Sequence, residues 1–597
     1  MFLRMTKRKK DGKEHRYWSI VENHRVGKRR VVQKHVLYLG EINDSQQEAW
    51  WRAIEVLENG RESPRMIALF PEDRNVQSKK QEVVQVYVNR MRLERPRQWG
   101  ACWLALHLWE QLHLDDYWAA KLSQSRQGTY WLNILKTLVC YRLIYPGSEW
   151  RLHREWYGNS AMRDLLGEEG DVISYQSLYR CLDKLVAHKE GMFKFLQERW
   201  ADMFNVGFDV LLYDLTSTYF ECDPPEEGSK RRFGYSRDKR SDCVQVVIGL
   251  IVTPDGFPLC YEVLAGNTSD KTTLREFLAR IEKQYGKARR VWVMDRGIPT
   301  EEVLAEMRES KTPVRYLVGT PKGRLNKLES QLLLLPWEKI RDSMQVKLLK
   351  QEGELYVLAC SPARRAKERA MRRRRLKRYW NRLKELQKQK LTRDQLMMKI
   401  GAAKKEAGNA ARLVDLTLPL ARQKITPETF RFSINRDKLR LLRRHEGQYL
   451  LRSNLECEDA STLWKYYMQL VQVEQAFKTL KSDLSLRPIY HQKDSRIEAH
   501  IFVAFLSYCL QITLQQRLKA LAPGLTARSV LEKFASIQMV DVHLPTTDGK
   551  ELRLPRYTQP SQEHILLLIK LGLKLPLQPK PELLNSRPAI SGAALIL

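Results

Sequence analysis

Three carboxylates frame the chemistry open to this chain. Asp214 sits in Val210-Leu211-Leu212-Tyr213-Asp214-Leu215-Thr216-Ser217-Thr218-Tyr219-Phe220, one acid among apolar, aromatic and β-branched residues. Asp295 closes a similar run, Arg290-Val291-Trp292-Val293-Met294-Asp295. Glu474 lies in a stretch with an apolar stripe, 461–480. A charge on a buried strand is costly unless it is paired or holds a cation. Taken alone, Asp214 is satisfied by a core salt bridge or a role at a strand end. Taken together, the three acids suit hard metal ions. Mg²⁺ prefers oxygen ligands, usually a few carboxylates plus water and substrate phosphate. Two such ions about 4 Å apart can activate a nucleophile and stabilise a leaving oxygen in phosphoryl transfer. A nearby Lys and Tyr would then hold the phosphate.

The elements around these acids must bring them together. Residues 210–221 read as a buried strand. Alternating runs follow at 244–252 and 259–264, joined at Pro254-Asp255-Gly256. The loop Gly266-Asn267-Thr268-Ser269-Asp270 leads into a helix over 272–285, with Asp270 near its N-terminus. Strands are expected at 290–297 and 314–319, and a short one at 449–453. The order β-β-β-α-β-α-β, with acids on the first and fourth strands, is that of a ribonuclease H-like mixed sheet flanked by helices. Side chains of an open α/β sheet converge at the strand ends. Asp214 and Asp295 are 295 − 214 = 81 positions apart, so only the fold can unite them. The stretch 461–480 reads as one helix with Ser461 as N-cap. Its stripe is Leu463, Tyr466, Leu470, Val473, Phe477 and Leu480, with Glu474 along the edge. Tyr467 and Lys481 each lie seven residues from Glu474. Seven residues are two turns, so the three share a face within about 20° of drift per heptad.

The whole chain has 597 residues, 103 Lys plus Arg and 70 Asp plus Glu, a net charge of +33. That excess calls for a polyanion: nucleic acid first, an anionic membrane surface second. The longest apolar run, 501–514, is too short to span a bilayer, and the first ten residues hold no apolar signal core. Nine scattered cysteines without zinc spacing indicate free thiols in a reducing cytosol. A basic β-hairpin arm is expected over 1–44, with strands at 15–22 and 29–38, as a solvated edge or a ribbon for a DNA groove. A mostly helical region follows over 45–204, with helices at 49–57, 99–112, 130–145, 175–187 and 192–204. The catalytic sheet occupies 205–320 and 448–515. Between them, 321–447 is a large basic insertion, with a helical hairpin over 363–411 that turns near Leu391-Thr392. Its one-signed run Arg372-Arg373-Arg374-Arg375 suits phosphates as well as solvent. The last region, 516–597, has helices at 529–536 and 564–573, a Pro-rich tail from Leu575 and a possible role in dimerisation.

Taken together these motifs are recognisable. The chain resembles the DDE transposases of bacterial insertion sequences, the group with the signature Tyr-x2-Arg-x3-Glu-x6-Lys. The match is Tyr467-x2-Leu470-x3-Glu474-x6-Lys481. Leu470 stands where the group has Arg, which leaves Lys478, Arg452 or Arg487 to supply that phosphate contact. Tyr213-Asp214-Leu215-Thr216, Met294-Asp295-Arg296-Gly297, Val473-Glu474-Gln475-Ala476-Phe477-Lys478 and Arg487-Pro488-Ile489-Tyr490-His491 are also similar to the family. The resemblance implies Asp214, Asp295 and Glu474 as catalytic metal ligands, two Mg²⁺ ions with Mn²⁺ as a substitute, and Tyr467, Lys478, Lys481 and Arg487 as DNA contacts. It implies double-stranded DNA partners, transposon ends and target, held by a homodimer in a synaptic complex in the bacterial cytoplasm, with no membrane. The resemblance further implies that water frees a 3′-hydroxyl at each element end and that this hydroxyl joins target DNA, in this group often through a hairpin whose flipped base stacks on a Trp; Trp337, Trp380 and Trp464 are the candidates. A metal-dependent nuclease without joining, or a DNA-binding derivative without catalysis, are the alternatives. Glu221, Asp223 and Asp242 are read as structural, and Arg296 as a partner of Asp295 or of DNA.

Overall fold

The apolar run around Asp214 forms a strand, Val210–Phe220, in the computed structural model. The structure describes residues 1–10, 13–26, 30–40, 84–122, 129–167, 173–225, 228–268, 290–295, 300–309, 314–320, 328, 331–332, 334–341, 344–351, 353–420, 423–455 and 459–585. The helices expected at 49–57 and 272–285, together with Asp270 and Arg296, lie outside the described residues. The chain divides into two units.

The first unit gathers Met1–Thr6, Arg16–Thr273 and Val471–Leu597. Its centre is an antiparallel meander of Val210–Phe220, Val244–Val252 and Pro258–Ala265, with Asp214 opposite Leu250. Every residue of Val244–Val252 is buried, so both faces of that strand are covered, and its Val/Ile-rich run reflects this. The helix Asp494–Leu521 packs here: Tyr508 donates its hydroxyl to Gly256 O at 2.8 Å and Ser507 donates to Val139 O at 2.9 Å. Phe193, Tyr261 and Phe505 meet with ring centroids 5.1–5.5 Å apart. The 28-residue helix extends seven residues beyond each end of the 501–514 run. By length and composition it could therefore cross a membrane, against expectation, but 89% of its most apolar window is buried in protein. Burial, not length, marks it as a core helix.

Helices Gly100–Gln111, Trp131–Ile144, Tyr175–Leu185 and Lys189–Phe204 match the expected stripes. The N-terminal sheet differs. It has three strands, Phe2–Lys10, Lys13–Val26 and Arg30–Gly40, where two are expected. A second sheet joins distant segments: Arg92–Gln98, Gln538–Pro545, Lys550–Tyr557 and Glu582–Asn585. None of these four strands is evident from the sequence, and the last falls in the Pro-rich tail. Arg97, 1% exposed, joins two of these strands through Asp541 Oδ1 at 2.9 Å and ties the sheet to Asp164 Oδ2, outside it, at 2.8 Å. A buried guanidinium needs such partners.

The second unit comprises Lys7–His15 and Leu274–Leu470. Val291–Met294 pairs in parallel with Arg315–Thr320, and helix Glu301–Glu309 lies between them in the chain. Gln448–Ser453, Glu354–Cys360, Met344–Gln351 and Glu338–Arg341 then add in antiparallel order. The basic stretch forms the expected helical hairpin, Pro362–Lys388 and Arg393–Ala407, and Thr392 caps the second helix through a capping box with Gln395. Tyr379, Leu383, Leu386, Leu396, Ile400 and Phe430 make a small core of its own. Arg373, Arg374 and Arg375 remain exposed, whereas Arg372 is buried against Glu446. The class is the expected one, α/β with a mixed sheet flanked by helices and interrupted by a basic helical segment, with helices following the N-terminal strands; the expected two-stranded basic hairpin is a three-stranded sheet.

Candidate active site

Asp214 is the fifth residue of its strand and half-buried; Oδ1 accepts the backbone N–H of Leu215 at 2.8 Å. Asp295 directly follows Val291–Met294 and is exposed. Glu474 is exposed on the helix Leu470–Lys478. Asp214, Glu474, Lys478, Lys481 and Arg487 belong to the first unit, Asp295 and Tyr467 to the second.

The expected single helix over 461–480 is instead two helices and a turn. Ala460–Met468 is capped by Asp459, whose carboxylate accepts the Thr462 N–H at 2.8 Å, so Ser461 is not the N-cap. Leu470–Lys478 follows, and Thr479–Asp483 closes with a wide π-type turn. Tyr467, Glu474 and Lys481 therefore do not lie along one continuous helix. Leu470 is 8% exposed, which explains why an apolar residue is tolerated there. Tyr467 packs with Trp464 and Tyr449, centroids 6.0 and 6.1 Å away.

The cations proposed to replace the missing Arg differ in availability. Arg452 is 5% exposed and engaged with Glu354 and with Glu301 at 2.7 Å, so it is spent inside the second unit. Lys478 is exposed at the end of its helix. Lys481 and Arg487 converge on one carboxylate that the sequence did not single out. Lys481 Nζ lies 3.0 Å from Asp238 Oδ1, and Arg487 Nη1 pairs with the same oxygen. Burial lowers the Lys481 pKa, and Asp238 works against that shift. Asp238 belongs to the basic loop 230–240, which is tied to the Asp214 strand: Arg237 donates its backbone N–H to Ser217 Oγ at 3.3 Å. Ile489, two residues past Arg487, donates its N–H to Tyr219 O on the same strand. The strand of Asp214 thus anchors both the basic loop and the segment that follows Glu474.

A second buried cluster also escaped the sequence. Glu149, His491 and His500 place ligand atoms within 4.8 Å of one another, the one such group among the described residues. His491 Nε2 and His500 Nδ1 each lie 3.3 Å from Glu149 Oε1. Arg142 already supplies the cation, with Nη2 3.4 Å from His500 Nδ1 and 3.7 Å from Glu149 Oε1. Burial opposes the Glu149 charge, but the two histidines overcome it and hold the carboxyl well below its ordinary range. Burial and Arg142 push His500 down to about 4. We read this cluster as a charge-balanced tie between helix Trp131–Ile144, the Glu149 turn and helix Asp494–Leu521.

Glu221 and Asp242, both expected to be structural, pair with Arg240 at 2.7 and 2.9 Å. Of the three tryptophans, Trp464 is 7% exposed and Trp380 packs edge-on to Phe432 at 4.8 Å, while Trp337 is 38% exposed beneath Lys347. Asp214, Asp295 and Glu474 each offer hard carboxylate oxygens, and Asp295 and Glu474 are open to solvent; oxygens of this kind suit divalent ions such as Mg²⁺.

Comparison with known proteins adds the following. Residues 210–510 match the Transposase DDE domain family, and residues 3–64 the IS1634 family transposase N-terminal domain. No curated protein matches in sequence. Among solved structures, one of the similar chains is the piggyBac transposase in a synaptic complex with hairpin DNA, 8% identical, covering 72% of this chain and 79% of that one at a TM-score of 0.35.

Proposed function

Because the chain belongs to the DDE transposases of insertion sequences, we propose that it cuts DNA at the ends of its element and joins the freed ends to target DNA. The family as a whole uses divalent metal ions. The observation that carries the proposal is that the match over 210–510 takes in Asp214 on a strand, Asp295 at a strand end and Glu474 on an exposed helix.

In this reading Asp214, Asp295 and Glu474 hold two Mg²⁺ ions. When bound, the ions polarise the phosphate and lower the pKa of the attacking water. The residues of this chain do the rest. Lys478, Lys481 and Arg487 neutralise the phosphate backbone and fix its register, and Tyr467 is a further DNA contact. Water attacks the phosphodiester, its proton passes to solvent, and the bond to the 3′-oxygen breaks to leave a 3′-hydroxyl. In strand transfer that hydroxyl is the nucleophile, and a target 3′-oxygen leaves. The excision route is cut-and-paste through hairpin ends. The terminal inverted repeats are the bound sites, and a homodimer holds two of them in the bacterial cytoplasm.

The test is incubation of the full chain with Mg²⁺ and DNA carrying the inverted repeats that flank its gene. Nicks at the repeat ends with joined products are expected. Nicks without joining would make it a nuclease, and binding without cleavage would leave a DNA-binding derivative.

A further inference from the structure

Asp238 lies in a loop otherwise rich in cations: Lys230, Arg231, Arg232, Arg237, Lys239 and Arg240 surround it in sequence. Its side chain is nevertheless 9% exposed, and its Oδ1 takes both Lys481 and Arg487, whose side chains are 10% and 27% exposed. Asp238 Oδ2 is buried and has no hydrogen-bond partner among the described residues. Two cations on one oxygen, with the second oxygen idle, is a poor match for a carboxylate that evolved only to close a salt bridge. A paired carboxylate is more stable when both oxygens are used.

Charge explains the arrangement. Without an anion, Lys481 and Arg487 would place two positive charges in a half-enclosed site, which is unfavourable. One carboxylate relieves that repulsion. A phosphodiester carries the same single negative charge and offers two oxygens in similar positions. Exchange of one anion for the other leaves the charge of the site unchanged, whereas both together would place like charges side by side.

We propose that Lys481 and Arg487 form a single seat for one DNA phosphate, and that Asp238 occupies it in the free protein and leaves when DNA binds. Asp238 is thus an internal stand-in for the phosphate. It keeps the seat assembled and weakens capture of unspecific DNA. The proposal rests on the reading of the chain as a DNA-binding transposase. It concerns binding alone, so it is tested without divalent metal.

The experiment measures binding of the full chain to a short random-sequence duplex in EDTA. Asp238→Asn keeps the shape and removes the charge. It is expected to bind about tenfold tighter, the low end of what a close charge pair contributes at an interface. The gain should vanish when Lys481→Ala or Arg487→Ala is added. Equal or weaker binding by Asp238→Asn would overturn the proposal. Should that variant fail to fold, wild type decides. Amide exchange over 236–240 should speed up on addition of duplex, and unchanged or slower exchange would overturn it. Cleavage without these effects would sink only this inference. Binding with these effects and no cleavage would sink only the catalytic reading.

Discussion

His500 shows how one buried side chain ties stability to pH. It is fully enclosed, and burial with Arg142 holds its pKa at about 4, below the ordinary 6.5. As pH falls below 6.5 the unfolded chain takes up a proton that folded His500 refuses. The contribution is therefore full above about 6.5 and is lost as pH drops toward 4. A fall from 6.5 to about 4 amounts to about 3 kcal/mol. Thermal melts at stepped pH should show Tm falling through that window. His500→Gln should flatten the fall, while Glu149, held below its ordinary range, still costs stability at lower pH. An unchanged slope in the variant would contradict this account. Asp214, Asp295 and Glu474 were legible as residues because each interrupts or edges an apolar pattern. Asp238 was not, because an acid among six cations in a loop looks like a solvated residue. Its partners lie 243 and 249 positions away, and only the fold brings them to it. His491 stood within a recognised motif, but its partner Glu149 is 342 positions upstream.

At the scale of elements, regular periodicity was readable and long-range pairing was not. Val244–Val252 and the hairpin turning at Thr392 follow from runs of Val and Ile and from a capping signal. Arg92–Gln98 reads Arg-Leu-Glu-Arg-Pro-Arg-Gln, charged and broken by Pro96, and is a strand only because Gln538–Pro545 pairs with it. The break at Gln469 likewise has no Gly or Pro to announce it. The basic hairpin has a small core of its own, so it should yield to single truncations. Leu383 is fully buried there. Leu383→Ala should destabilise the hairpin by about 2–5 kcal/mol, and Thr392→Ala by about 1 kcal/mol through loss of the cap. Amide exchange over 362–407 measures both. Protection as strong as in wild type for Leu383→Ala would show that the hairpin does not depend on that core.

For the whole molecule, charge and acids make separate contributions. A net charge of +33 provides phosphate contacts that do not depend on sequence, so affinity for random duplex should fall steeply as salt rises. The three carboxylates should contribute little to that affinity and nearly all of the chemistry. The most direct measurement combines the two. Wild type, Asp214→Ala, Asp295→Ala and Glu474→Ala are compared for binding to repeat-end DNA and for cleavage in Mg²⁺. Each variant should bind within about threefold of wild type, less than the 1.4 kcal/mol that a tenfold change represents, and yield no cut product. Cleavage at the wild-type rate by any one of the three would contradict the account.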